Sequence, residues 1–247
     1  MNGKRRSLKP GALTAPLPPA MVTVGTMESP NVLTVAWTGI LATVPPKTYI
    51  SVRPSRHSYK ILRESGEFVI NLPSADMAKI VDFVGIYTGA KMDKLERCGL
   101  TVTPSEKVAA PTVAECPIAL ECRVTEVLPM GSHDVFLADI VSVSCDEGIM
   151  DPDGKIHFER ANLLAYAHGE YYSLGERVGR FGFSTDKPAK KTGARETKVS
   201  TESSAASPEQ GGEKKRPFYE SAPRSRGAKK RTQDKNKGAP RKNKKGK

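Results

Sequence analysis

Several signatures that would place this chain in a familiar mechanistic class are missing. No G-x-G-x-x-G follows an apolar run, and there is no Walker A loop, G-x-S-x-G elbow or H-E-x-x-H helix. Any nucleotide cofactor must therefore be held without a Rossmann or P-loop device. The four cysteines (Cys98, Cys116, Cys122, Cys145) form no C-x-x-C pair and have no histidine at ligand spacing. Cys116 and Cys122 share a parity beside a strand start, yet nothing supplies third and fourth metal ligands, so all four read as reduced, buried thiols. No apolar stretch approaches the roughly 20 residues that span a bilayer. The N-terminus is basic but lacks the apolar core of a secretory signal, and the expected location is the cytoplasm.

Charge is unevenly distributed. Residues 1–185 hold 19 Lys+Arg against 20 Asp+Glu, and residues 186–247 hold 20 against 7, so the net +12 belongs to the tail. Apart from Phe218 and Tyr219 that tail is nearly devoid of aromatic and branched aliphatic residues. It cannot bury enough apolar area to offset the entropy of ordering and is expected to be disordered. Its charge suits weak, salt-sensitive, non-specific nucleic-acid binding, without aromatics for base stacking. Residues 1–17, with Lys4, Arg5, Arg6 and several prolines, read as a flexible arm, leaving one domain over 18–185.

Within that domain short alternating runs predominate. Met21–Met27, Val32–Trp37, Thr48–Val52 and Glu67–Leu72 read as strands, with a break at Pro45-Pro46. Pro117–Leu128 and His133–Cys145 form a hairpin signal around Pro129-Met-Gly-Ser132, and Asn162–Tyr166 reads as a last strand. Helices are expected over about 58–65, from Ser74 or Asp76 to about Tyr87, and as a short turn over 92–98. The expected fold is mainly β, a small barrel with a few helices filling its gaps.

The chain is organised around Ser29–Ile61. Here one strand ends in Trp37-Thr-Gly39, and the next delivers Arg53-Pro-Ser-Arg-His-Ser58 to a helix start. Unpaired N–H groups and the helix dipole at such a start favour an anion. A phosphate monoester carries roughly −1.5 to −2 charges, so a cationic side chain is needed too, and Arg53 or Arg56 can supply a bidentate fork. On the residues alone, Trp37 is equally a core aromatic and Ser58 equally an N-cap. Lys94, between Asp93 and Glu96, reads as part of a solvated face, His133 as an idle hairpin tip, and Asn71 before Leu72-Pro73 as turn chemistry.

Taken in order, Pro30-Asn31, Thr34-Val-Ala-Trp37-Thr-Gly39, Pro45-Pro46, Ser51-Val-Arg-Pro-Ser-Arg-His-Ser58, Phe68-Val-Ile-Asn-Leu-Pro73, Lys91-Met-Asp-Lys94, Gly131-Ser-His-Asp134 and Tyr171-Tyr-Ser-Leu-Gly175 resemble the flavin reductase-like proteins of the flavoredoxin group. That resemblance implies an FMN-binding split barrel, a homodimer, and electron transfer from NAD(P)H or a redox protein to free flavin, ferric iron or a protein acceptor. It puts the flavin contacts on Asn31, Thr34, Ala36, Trp37, Ser51, Ser58, Lys94, His133 and Tyr166, with Arg53 and Arg56 added here on charge and position. Two alternatives stand beside it: an FMN electron carrier that does not itself oxidise NAD(P)H, and a barrel whose basic tail serves nucleic-acid or ribosome association.

Overall fold

The computed structural model describes residues 3–185. The tail over 186–247, with the disorder and nucleic-acid role expected of it, lies outside the described residues. Seven strands form one antiparallel sheet: β1 (Ala20–Gly25), β2 (Pro30–Val35), β3 (Thr38–Thr43), β4 (Pro46–Val52), β5 (Glu67–Leu72), β8 (Ile118–Pro129) and β9 (Asp134–Cys145). Two small pairs, β6 (Val102–Thr103) with β7 (Thr112–Val113) and β10 (Leu164–Ala167) with β11 (Glu170–Ser173), lie outside it. The helices are α1 (His57–Ser65), α2 (Ala78–Ile86) and α3 (Lys94–Cys98).

The sheet order is β2-β1-β5-β8-β9-β4-β3, so the two edge strands are consecutive in sequence. Only Ala36 and Trp37 separate them. Three Cα steps reach at most about 11 Å, whereas the edges of a flat seven-stranded sheet stand about 29 Å apart. The sheet must therefore curl until its edges nearly meet. It is a barrel split along a seam between β2 on one side and β3–β4 on the other.

Alternation sorts side chains to two cores. Val22, Val24, Ile50, Val52, Phe68, Ile70, Phe136 and Ala138 face the interior with Leu62 of α1. Met21 and Val32 turn outward to Val81 and Val84 of α2 and Leu95 of α3. Helix α1 ends where Gly66 adopts φ 66° and donates its N–H to the Leu62 carbonyl, turning the chain directly into β5.

Several expectations are corrected. Thr38–Thr43 is a strand, so Trp37 is not a strand end but part of a tight turn, and Pro46 opens β4. Serine 74 precedes a 3-10 turn (Ala75–Met77) that leads into α2, which stops at Ile86. Asn162 falls outside β10, and Glu170–Ser173 is a further strand after it. Cys116 packs with the outer core and Cys122 with the inner one, so the two do not share a face. Both are buried, and burial pushes the Cys122 thiol up to about 12; Cys98 and Cys145 are only half-buried.

Asn71 is not turn chemistry. It sits in β5, wholly buried, donating to the Met21 and Val69 carbonyls and to Thr23 Oγ1 while accepting from Val113 N–H at 2.9 Å. One amide thus ties β1, β5 and β7 together. Asn71→Ala is expected to lower stability by about 2–4 kcal/mol, because buried partners are left unsatisfied. Urea unfolding checks this; a midpoint shift worth under about 0.5 kcal/mol would show that the strands do not need the amide.

Candidate functional site

A groove lies on the seam. Its first section is bounded by Leu33, Thr34, Val35 and Ala36 on one side and by Ser51, Val52, Arg53, Arg56 and His133 on the other. The second section, lined by Ser58, Thr88, Gly89 and Lys94, shares Leu33 and Arg56 with the first. A third section shares His57, Gly89 and Lys94 and opens into a cavity of about 220 Å³ beside Asn31. Ten of the eleven anticipated residues therefore lie on or beside one continuous surface: Asn31, Thr34, Ala36, Ser51, Arg53, Arg56, Ser58, Lys94 and His133 line it, and Trp37 adjoins Ala36 in the closing turn. The eleventh, Tyr166, does not line it. That ring packs against Tyr171 at 5.5 Å, and its backbone pairs with Leu17.

The closing turn is held from both sides. Thr38 N–H donates to the Ala36 carbonyl at 3.1 Å, and Ser51 N–H donates to the Trp37 carbonyl at 2.9 Å. The indole is 36% exposed, so Trp37 is not a core aromatic. Thr34 is fixed by donating to the Val81 carbonyl of α2 at 2.5 Å.

Helix α1 presents its N-terminus to the groove. Its N-cap residue is Arg56, whose side chain makes no capping bond, and its first turn carries no acidic residue. Ser58 is therefore not the cap. Its buried hydroxyl accepts from Asn31 Nδ2, which leaves the hydroxyl proton free for another acceptor. Close packing sets the position of Asn31. A Cβ on Gly89 would stand 2.1 Å from Asn31 Oδ1 and 3.2 Å from His57 Cδ2, so only glycine fits there with the amide in place.

Lys94 is only 4% exposed, not on a solvated face. Its Nζ donates to the Val84 carbonyl at 2.9 Å and the Tyr87 carbonyl at 3.2 Å, capping the C-terminus of α2. Burial, then the nearby Arg56 guanidinium, lowers its pKa to about 8. Asp93 does not pair with it; that carboxylate caps α3 by accepting from Leu95 and Glu96 N–H.

His133 is not idle either. Arg53 Nε donates to its Nε2 at 3.3 Å, so Nε2 carries a lone pair and the ring proton sits on Nδ1, 2.9 Å from Ser132 Oγ. Burial, then Arg53 and Arg56, holds its pKa below the usual imidazole range. Among the described residues Arg53, Arg56 and Lys94 form no ion pair with a carboxylate. The part of the groove these three line is cationic with no carboxylate paired to it, an arrangement suited to an anion. Among the described residues no helix is long and apolar enough to cross a membrane, and no three metal-ligating side chains converge.

Comparison with known proteins identifies relatives of the chain and of its fold. Residues 13–175 match the model of the flavin reductase like domain. Flavoredoxin of Desulfovibrio vulgaris (Miyazaki F) is 31% identical and superposes with a TM-score of 0.69, covering 74% of this chain and 100% of that one. An FMN-binding protein from Thermus thermophilus, solved with bound 1-cyclohex-2-enone, is 25% identical at a TM-score of 0.61, covering 73% and 99%. An uncharacterised protein of Archaeoglobus fulgidus is 33% identical over 136 residues, 55% of this chain and 77% of that one.

The charge arrangement makes one direct prediction. Replacing either Arg53 or Arg56 by Gln removes a positive neighbour and raises the His133 pKa toward its ordinary value. NMR titration of the imidazole reads this. An unchanged pKa in both variants would mean that neither guanidinium faces the ring in solution.

Proposed function

Because the chain belongs to the flavin reductase-like family, we propose that the seam groove binds FMN and that the protein passes electrons from NADH or NADPH to free flavin, ferric iron or a protein acceptor. The observation that carries this reading is the uncompensated cationic end of the groove. Arg53, Arg56 and Lys94 lack carboxylate partners, and they surround a helix start with no capping side chain. That charge balance fits a phosphate monoester, since one helix dipole contributes only about 0.3–1 kcal/mol and a near-dianion needs more.

In this reading Arg53, Arg56, Lys94 and Ser58 hold the phosphate. Asn31 donates to that Ser58 hydroxyl, and Thr34, Ala36, Trp37, Ser51 and His133 border the flavin ring. Bound FMN supplies the hydride-accepting chemistry, which is the cofactor's own. The protein's work is positional. The turn at Ala36–Trp37 fixes the groove width, neutral His133 adds no charge beside the arginines, and Thr34 is locked to α2. No acid–base pair is assigned, and none is needed for hydride transfer.

Purified protein titrated with FMN is expected to show the perturbed visible absorption of bound flavin, and anaerobic NADH or NADPH to bleach it. Arg56→Ala should weaken FMN binding about tenfold or more, a loss of roughly 1.4 kcal/mol or greater. Bound flavin that neither nucleotide reduces would make the protein a carrier fed by another donor. Absence of flavin binding would overturn the reading.

We also propose a homodimer through the open edge of β3. Ile40 is 62% exposed and Leu41 49% on this unpaired edge strand, and Val44, in the turn that follows it, is 91% exposed. Exposed apolar edges of this kind are templates for association. Light scattering is expected to give twice the chain mass for the native protein and the single-chain mass for Ile40→Lys/Val44→Lys. A native monomer would refute the assignment.

A further inference from the structure

Resting on the FMN reading, we propose that Lys94 makes phosphate binding in the groove a proton-coupled event, the neutral amine taking a proton from solvent to become the ammonium as the anion enters. Three observations carry this. The Nζ is buried and already donates to two backbone carbonyls, Val84 and Tyr87, which leaves one donor position to face the groove it lines. Its charged surroundings are cationic: the Arg56 guanidinium approaches from the start of α1. Among the described residues no carboxylate pairs with it, since Asp93, its neighbour in the third section, is committed to the α3 backbone.

A buried amine in that setting loses its proton far more readily than a surface lysine, and its pKa lies near 8. A phosphate dianion beside it reverses the balance, because opposite charge at contact range favours the charged form. The other titratable groups in range do not imitate this. Cys98, on the same helix, is raised above the ordinary thiol value by burial, with Lys94 and Arg97 opposing that shift. His133, at the arginine end, is held below its usual range and stays deprotonated in the alkaline window. The His57 imidazole faces the same cavity and is controlled by substitution. The phosphate of FMN has its second pKa near ~6, so it is already a dianion above pH 8. No covalent bond changes; one proton moves from buffer to Nζ.

The test is isothermal titration of the full-length protein with FMN in two buffers of different ionisation enthalpy. The slope of heat against buffer enthalpy is expected to report uptake of roughly half a proton at pH 8 and to approach one near pH 9. His57→Gln should keep the uptake. Lys94→Arg should bind FMN more weakly and, at saturating FMN, with no uptake, since a guanidinium does not titrate there. Riboflavin, which lacks the phosphate, should bind with no uptake. FMN binding with no buffer-dependent heat in the native protein, uptake that persists in Lys94→Arg, or equal uptake with riboflavin would each overturn the inference while leaving the flavin reading intact. No FMN binding at all overturns both.

Discussion

Everything in this molecule depends on a two-residue closure. Strands at opposite ends of the hydrogen-bonded order are joined by Ala36 and Trp37 alone. Seven strands cannot lie flat and satisfy that connection, so the curl of the sheet, the inner core and the place of α1 all follow. The Leu62 side chain can reach the interior because the curled sheet gives α1 a concave face. The groove lies where the closure is incomplete, between the last residues of β2 and the end of β4. Fold and site are one consequence of the same constraint.

The second organising term is electrostatic. Holding Arg53, Arg56 and Lys94 close together without carboxylates costs free energy that the apolar core must offset. The molecule contains acidic groups nearby, but they are engaged elsewhere. Asp93 caps α3, and Asp134 accepts from Tyr59. Backbone and hydroxyl donors thus hold these carboxylates out of ion pairs with the three cations. The proposed phosphate site rests on the family relationship and on this charge arrangement together.

Much of this was legible in the chain. The alternating runs of β1, β5, β8 and β9 carry the period of two that half-buried strands impose, and Arg53 to Ser58 announces a helix start. What stayed hidden depended on distant contacts. Thr38–Thr43 follows Trp37 without punctuation, and the turn between them is dictated by closure of the sheet rather than by Gly or Pro. Lys94 looks solvated beside Asp93 and Glu96; only the end of α2, placed over it by packing, buries the amine. Asn71 looks like turn chemistry because Pro73 follows it, yet its partners come from β1 and β7. Ser58 resembled a cap because the helix start is visible locally, while the amide that uses its hydroxyl lies 27 positions away. Tyr166 was attractive by resemblance, but within one chain its strand belongs to a different surface.

The seam has a mechanical meaning as well. Six rows of backbone hydrogen bonds run around this barrel, and none crosses between β2 and β3. Such a body behaves as an open spring clip: the ladder sets its stiffness, and the short bridge sets its gap. Changing the gap breaks no ladder. Insertions at Ala36–Trp37 can therefore widen the mouth while the rest of the sheet keeps its register. A single scaffold of this kind can be tuned by bridge length to admit second substrates of different bulk, a route to diversification that leaves the hydrophobic interior untouched.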